Sequence, residues 1–315
     1  MRADISYGKA QIGLYRTCAT PLSGITPIPE SQFTGRPNTL FAAEVNVEVF
    51  GDNFMPAYTH GDNRNVVATD TMKNFVLRKG LEFDGATLEG LLYFLGEQFL
   101  ATYPQMQRLR LTAEEQPFTP APVPRQEGGA GFTTSEVLFS RSRNDHGYAM
   151  LEVERGLDQQ GTGTRILDHH SGRVGLQLIK VTGSAFMSFA RDEYTTLPER
   201  RDRPLFIYLD VFWRYADPAH AAGTDPSRYI PSEQVRDFVQ VVFHDFVSMS
   251  IQHLIHEMGT RLLARFPHMA EVSFEAQNRL WDTAFESQSN ERLKVYTDPR
   301  PPYGLIRLTL RRDGR

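Results

Sequence analysis

Alternation of polar and apolar residues predicts strands in both halves of this chain. Residues 44–49 read Glu-Val-Asn-Val-Glu-Val, a period of two that is typical of a strand with one face in water. The apolar run at residues 205–212 is the strongest strand signal in the sequence. Further strands are predicted at residues 11–15, 109–111, 148–153, 175–180 and 305–310.

Helical spacing of apolar residues appears in three places. Residues 86–103 carry leucine and phenylalanine at intervals of three and four, and Pro104 ends the pattern. Similar spacing predicts helices at residues 232–248 and 250–265. Segments rich in proline, glycine and serine at residues 20–38 and 117–131 predict loops, the second of them near a domain boundary.

One short pattern occurs twice. Residues 101–106 and 264–269 each read alanine, any residue, an aromatic residue, proline, a polar residue and methionine. Each copy ends a predicted helix and precedes a predicted strand. The repetition predicts two copies of a strand-strand-helix-strand unit.

Composition limits the classes of function. The chain has 315 residues, of which 40% are hydrophobic and 23% charged, and its formal net charge is -4. There is no broad basic field for nucleic acid, no apolar run near the roughly 20 residues of a membrane span, and no apolar segment typical of a signal peptide. The single cysteine, Cys18, excludes an intrachain disulfide and a cysteine-based zinc site. We therefore expect a cytoplasmic protein that binds neither nucleic acid nor membrane.

Residues 66–74 read Val-Val-Ala-Thr-Asp-Thr-Met-Lys-Asn and follow a turn-prone stretch at residues 60–63. The two valines predict a strand that forms an antiparallel hairpin with residues 44–49. Thr69, Asp70 and Thr71 would then end this strand. They could cap the next turn, or they could present two hydroxyls and a carboxylate to a ligand.

The motifs together identify a family resemblance. Residues 68–74, the Tyr-Gly-Lys at residues 7–9 and the run at residues 192–203 resemble the signatures of the urate oxidase (uricase) family. The resemblance implies an α+β tandem T-fold (tunnelling fold), with antiparallel sheets, helices on one face and an oligomeric β-barrel tunnel. We place the first T-fold unit at residues 5–140 and the second at residues 141–315.

The resemblance also implies roles for individual residues. Lys9 and Thr69 would form a proton relay, and Thr69 and Asp70 would reach the five-membered ring of the substrate from a neighbouring subunit. Asn278 would hold O2 or water over the ring. Together, Lys9, Thr69 and Asn278 are the expected catalytic residues.

A second group of residues would bind the flat purine. By resemblance, Phe186 stacks on the ring, Arg203 and Gln252 clamp its two edges, and the backbone amide of Ile251 adds a donor. A guanidinium fork suits a planar edge of oxygen and nitrogen atoms. The alternatives are a core phenylalanine, a surface ion pair for Arg203 and a solvated glutamine on a helix.

The reaction implied by the resemblance needs no cofactor. Urate is oxidised by O2, as co-substrate, and water to 5-hydroxyisourate and hydrogen peroxide, in a homotetramer with active sites at subunit interfaces. We expect no metal site: His256-Glu257 lacks the second histidine of a zinc-protease helix, since Thr260 stands there, and His169-His170 sits in a turn-like stretch.

One position departs from the family pattern. Asparagine, a basic residue and histidine are expected, but the chain has Asn278, Arg279 and Leu280. Leucine can neither donate nor accept a proton, so two alternatives stay open: oxidation of a related oxidised purine such as 8-oxoguanine, or a catalytically impaired purine-binding protein. His256, one helical turn after Gln252, is a possible substitute for the histidine.

Overall fold

A computed structural model describes residues 4–125, 131–141, 144–156, 163–222, 225–290 and 292–312. This part of the chain contains twelve strands and five α-helices. The strands are β1 (Ser6–Thr17), β2 (Leu40–Phe50), β3 (Arg108–Glu115), β4 (Phe118–Pro124), β5 (Phe132–Arg141), β6 (His146–Arg155), β7 (Thr164–Lys180), β8 (Leu205–Tyr215), β9 (Met269–Leu280), β10 (Thr283–Glu286), β11 (Lys294–Tyr296) and β12 (Arg300–Arg311). The helices are α1 (Met55–His60), α2 (Thr69–Glu82), α3 (Leu88–Thr102), α4 (Ser232–Asp245) and α5 (Ile251–Arg265).

The chain divides into two compact units. The first comprises the described residues of 1–27, 33–171 and 217–230, and the second those of 28–32, 172–216 and 231–315. β7 begins in the first unit and ends in the second. The boundary expected from the sequence, between residues 140 and 141, stays a prediction.

The first unit is an antiparallel sheet with helices on one face. β1 pairs with β2, β2 with β3 and β3 with β6. α2 packs on β1, and α3 packs on β3 and β6. Apolar residues at alternate strand positions meet the apolar stripe of α3, which explains why the strand and helix periods are so clear in this part of the sequence. The fully buried core includes Val45, Leu92, Leu95, Phe99, Leu111 and Leu151.

The second unit repeats this plan. Its strands follow the order β7-β8-β9-β12, with β8–β9 and β9–β12 antiparallel. α5 packs on β9 and β12, and α4 packs on α5. A two-stranded sheet is inserted at the same point of each unit, β4–β5 before β6 and β10–β11 before β12. The internal repeat predicted from the sequence is therefore present as two units with the same order of strands and helices.

The repeat extends to single hydrogen bonds. In β1 the amide of Gln11, with a φ of 57°, donates to Asn46 Oδ1 at 2.7 Å. In β7 the amide of Gly175, with a φ of 78°, donates to Asp210 Oδ1 at the same distance. Each strand therefore has a residue of positive φ whose amide is held by a side chain of the next strand, and in β1 this residue lies in a bulge.

The repeated Pro-Met pattern ends α3 and α5 in the same way. The amide of Met106 donates to the carbonyl of Tyr103 at 2.9 Å, and the amide of Met269 donates to that of Phe266 at 3.0 Å. Arg155, at the end of β6, donates to the last carbonyls of α3 and its following turn. Arg312, just after β12, does the same for α5.

Three predictions from the sequence are wrong. His169 and His170 lie within the strand β7 and not in a turn. Val66 and Val67 form no strand and no hairpin with β2, because Thr69 is the first residue of α2, which buries Met72 and Val76 one turn apart. The stretch predicted as a loop at residues 117–131 contains β4, which pairs with β5 despite its prolines. Residues 126–130 of that stretch lie outside the described residues.

Candidate functional site

Lys9 follows a glycine that the sheet requires. A Cβ atom on Gly8 would lie 1.9 Å from the carbonyl oxygen of Val47 on β2, far inside contact distance. The bulge of β1 follows directly, between Lys9 and Ile12. Gly8 thus lets the two backbones approach closely, and the half-buried Lys9 is placed by a rigid part of the sheet.

Tyr7 connects this strand to the segment before α2. Its hydroxyl accepts a hydrogen bond from the amide of Val67 at 3.1 Å, and its ring packs edge-on against Phe54 with centroids 5.1 Å apart. Burial raises the pKa of the Tyr7 hydroxyl. Since Tyr7 is two residues before Lys9 and Val67 two residues before Thr69, this hydrogen bond fixes the two expected relay residues in one region.

Asp70 and Thr69 lie exposed at the N-terminus of α2. Asp70 accepts from Lys73 Nζ at 2.6 Å and from Asn74 Nδ2 at 3.2 Å. The hydrogen bond and charge of Lys73 lower the pKa of Asp70, and the charge of Lys9 lowers it further. Lys9 is therefore close enough to α2 for its charge to reach the residue beside Thr69.

The repeat supports this placement. Arg173 stands in β7 where Lys9 stands in β1, directly after a glycine and two residues before the residue of positive φ. Ser232 begins α4 as Thr69 begins α2. In the second unit Arg173 Nη1 donates to Ser232 Oγ at 3.4 Å. In the second unit, the fold thus brings the first residue of α4 beside the basic residue of β7. The equivalent residues of the first unit are Thr69 and Lys9.

Phe186 and Arg203 meet in the second unit. The amide of Arg203 donates to the carbonyl of Ser184 at 2.8 Å, and Phe186 and Arg200 exchange two backbone hydrogen bonds of 2.9 Å. Asp202 accepts hydrogen bonds from the Thr182 hydroxyl and from the amide of Gly183. This network holds the Arg203 guanidinium 5.3 Å from the centroid of the Phe186 ring.

The Arg203 side chain has no acceptor among the described residues. Its Nε is buried without a hydrogen-bond partner, and burial lowers its pKa. Phe186 is half-buried and so is not a core residue. The two alternatives considered for these residues, a core phenylalanine and a surface ion pair, do not describe this arrangement.

The N-terminus of α5 lies beside the same segment. The amide of Ala185 donates to the carbonyl of Ser248 at 2.8 Å, and Ser250 Oγ caps α5 by accepting from the amide of His253. Ile251 and Gln252 are the first two helical residues. Their amides have no acceptor within the helix, and the Gln252 side chain is exposed.

Arg203 and Asn278 line one cavity of about 340 Å³. This volume lies within the usual range for small-molecule sites. Trp281 and Tyr296 also line it, with stacked rings whose centroids are 4.0 Å apart. The cavity therefore combines cationic, amide and aromatic groups, which suits a flat polar ligand.

The expected residues thus form two groups. Lys9, Thr69 and Asp70 belong to the first unit, and Phe186, Arg203, Ile251, Gln252 and Asn278 belong to the second. Within the described ranges, no group of three or more histidine, cysteine, aspartate or glutamate side chains is arranged to hold a metal ion. In the same ranges no helix is both long and apolar enough to cross a membrane.

A family profile described as Uricase matches residues 5–149 and 169–307. The chain belongs to the uricase family. It is 47% identical over 308 residues to the uricase of Haloferax volcanii, and the match covers 98% of both chains. It is 44% identical over 313 residues to the uric acid degradation bifunctional protein PucL of Bacillus subtilis, where the match covers 99% of this chain and 62% of that protein. The chain therefore spans less than two thirds of that relative.

Solved uricase structures have the same fold. The urate oxidase of Bacillus sp. TB-90 superposes with a TM-score of 0.93 at 42% identity, covering 98% of this chain and all of that one. A uricase from Bacillus fastidious gives a TM-score of 0.93 at 41% identity, with coverages of 99% and 94%. The α+β fold and the family predicted from the sequence are confirmed.

The departure from the uricase pattern lies at the end of β9. Leu280 follows Asn278 and Arg279, and its backbone pairs with Arg300 of β12. Its side chain lies outside the described residues. His256 is exposed on α5, and within the described ranges no hydrogen bond, ion pair or ring contact joins it to Asn278 or Arg203. The substitution of His256 for the family histidine stays a prediction.

The sequence pattern did not identify four residues that lie near the expected site residues. Tyr7 was noticed only as part of a motif, although a tyrosine two residues before the expected catalytic lysine could have indicated a support. Arg279, Trp281 and Tyr296 line the cavity because β9 ends there and the β10–β11 hairpin folds beside it. No period or motif in the sequence predicts that these three side chains line one cavity.

Proposed function

We propose that this uricase-family protein oxidises urate with O2 and water to 5-hydroxyisourate and hydrogen peroxide. The observation that carries the proposal is the Arg203 guanidinium, which lies over Phe186 with a buried Nε that lacks an acceptor. A buried polar group without a partner is costly, and an anionic ligand with in-plane acceptors would supply one.

The second unit supplies the binding groups. Phe186 stacks on the ring, Arg203 donates to one edge, and Gln252 with the Ile251 amide binds the other edge. The free amides at the start of α5 also favour negative charge. Asn278 holds O2, and then water, above the ring.

The first unit supplies the proton transfer. Urate gives two electrons to O2 only after it loses a proton, and we assign Lys9 and the Thr69 hydroxyl to the relay that removes that proton. O2 leaves as hydrogen peroxide after it takes up two protons, and water adds its hydroxyl to the oxidised ring. Asp70 contacts the five-membered ring. We propose O2 as the only co-substrate, with no metal or organic cofactor.

Neither unit carries both groups of residues. Where the second unit has Gln252 as the second residue of α5, the first has the buried Glu89 in α3, which accepts from Ser171 Oγ at 2.5 Å. Where the first unit has Lys9 and Thr69, the second has the buried Arg173 and Ser232. Each unit therefore keeps one half of a site.

We propose that the halves join between copies of the chain. Lys9, Thr69 and Asp70 of one copy would complete the site of Arg203 and Asn278 in a neighbouring copy of a homotetramer. In a closed symmetric assembly, every half-site would be completed by a neighbouring copy of the chain. The cytoplasmic location expected from the sequence stays a prediction.

Urate is favoured over the two alternatives. The uricase relatives cover nearly the whole chain, and the groups that would recognise the ring are present. Leu280 remains the one residue that favours another oxidised purine such as 8-oxoguanine, or a purely purine-binding protein. The alternatives predict that urate is bound but not oxidised.

Urate binding by Arg203→Ala tests the assigned site. Calorimetry in anaerobic buffer keeps the reaction from running and measures the Kd. We expect the substitution to weaken binding at least about a hundredfold, because it removes a charge-assisted bidentate contact. Arg201→Ala, at an exposed position two residues earlier, is the matched control and should bind like the unmodified protein. Unchanged affinity in Arg203→Ala would refute the assignment.

A further inference from the structure

Arg279 differs from the other arginines on the strands around it. Four arginines of β8 and β12 each pair with a carboxylate of β9 or the turn that follows it. Arg279 of β9 has no carboxylate partner among the described residues. The paired arginines are Arg214 and Arg311 with Glu271, Arg307 with Glu275, and Arg300 with Asp282.

Two aromatic rings hold the Arg279 guanidinium. Its central carbon lies 4.3 Å from the ring centroid of Tyr208 and 4.1 Å from that of Tyr303. Its Nη2 donates to Gln277 Oε1, and its Nε is buried without a partner. Since guanidinium donors point along the plane of the group, a further acceptor must approach edge-on. The side chain is thus fixed in orientation, and its Nε–H lacks an acceptor.

This donor belongs to a group that lines the same cavity as Arg203 and Asn278. The carboxylates of the cavity wall are engaged elsewhere, so they do not supply the missing acceptor. Asp282 pairs with Arg300 at 2.6 Å, Glu286 with Lys294 at 3.0 Å, and Asp202 with Thr182 at 2.6 Å.

We propose that Arg279 is a second binding residue for the anionic substrate, in the cavity that it shares with Arg203. The proposal rests on the proposed function, in which the ligand is the urate anion. Two arginines whose buried Nε lacks a partner line this cavity, which therefore favours a planar anion over a neutral purine. Arg279 therefore contributes to affinity and charge selectivity, while proton transfer is left to the first unit.

Anaerobic calorimetry with urate tests the proposal on the intact protein. Arg279→Gln removes the charge, and Arg307→Gln, a paired arginine of the neighbouring strand, is the matched control. We expect Arg279→Gln to raise the Kd and the KM about tenfold, with kcat within about twofold. The dependence of Kd on salt should also become shallower, because one cationic contact is lost. Arg307→Gln should change none of these values.

The outcomes separate the two proposals. If the unmodified protein does not bind urate, the proposed function fails. If it binds urate and Arg279→Gln binds equally well, the role of Arg279 is refuted. Should Arg279→Gln fail to fold by circular dichroism, Arg279→Lys decides: weaker binding supports the planar, in-plane contact, and unchanged binding overturns it.

Discussion

At the scale of single residues, the Tyr7 hydroxyl would support the proposed proton relay. It accepts from the Val67 amide and so connects the strand of Lys9 to the segment before Thr69. Tyr7→Phe leaves that amide without its acceptor. We expect kcat for urate to fall about tenfold with a much smaller change in KM, since small misplacements of reacting groups are costly. Faster deuterium exchange of the Val67 amide should accompany the loss.

Tyr58→Phe is the matched control for this prediction. The Tyr58 hydroxyl donates to the carbonyl of Ser6 at 2.7 Å, so it contacts the same strand without holding the segment before Thr69. Its removal should leave kcat nearly unchanged. Equal losses of kcat in both variants would show that Tyr7 acts only on general stability.

The candidate site was predictable at this scale only where a motif carried it. Lys9, Thr69, Arg203 and Asn278 stand in short signatures that a family resemblance recognises. Arg279 stands beside Asn278 in the sequence, but its role follows from two tyrosines on neighbouring strands. Such cross-strand neighbours depend on register, which the sequence pattern did not specify.

At the scale of elements, arginine side chains stabilise the ends of α3 and α5. Arg155 Nη2 donates to the carbonyls of Leu100 and Met106 at 2.5 and 3.2 Å. We expect Arg155→Met to destabilise the protein by about 1–3 kcal/mol, because these bonds are charge-assisted and the helix end is negative. The midpoint of thermal unfolding measures the effect.

Arg165→Met is the control for the helix-end contact. Arg165 pairs with Glu154 at a largely exposed position, where an ion pair contributes little. The midpoint of thermal unfolding of Arg165→Met should stay close to that of the unmodified protein. A similar drop in both variants would contradict the role given to Arg155.

Elements with a long, regular period were predicted well. α3 and α5 were found within two residues of their ends, because a continuous apolar stripe faces the sheet. α2 was missed, since its strongest local signal was the pair Val66-Val67 just before it. The strand preference of two β-branched residues does not extend to the segment that follows them. There, packing of Met72 and Val76 against the core stabilises a helix.

At the scale of the whole molecule, the two units have diverged in complementary ways. The first keeps Lys9 and Thr69 and carries the buried Glu89 where the second has Gln252. The second keeps Arg203 and Asn278. The short repeat at the helix ends predicts the duplication, but it does not indicate which proposed half-site each copy carries. That difference appears only when equivalent positions of the two folds are compared.

We expect the proposed uricase site to be shared between two copies of the chain. Complementation tests it most directly, with Lys9→Met damaging the half-site of the first unit and Arg203→Ala that of the second. Each variant alone should be nearly inactive, whereas a mixed oligomer contains some sites built from two intact halves. Random pairing in a two-fold assembly would restore about a quarter of the unmodified activity.

The measurement is the loss of urate absorbance together with peroxide formation in air-saturated buffer, for the unmodified protein, each variant and the co-expressed pair. We expect turnover by the unmodified protein, almost none by either variant and partial recovery by the pair. An active unmodified protein without recovery in the pair would contradict the shared site. No turnover by the unmodified protein, with urate still bound, would contradict the proposed oxidation itself.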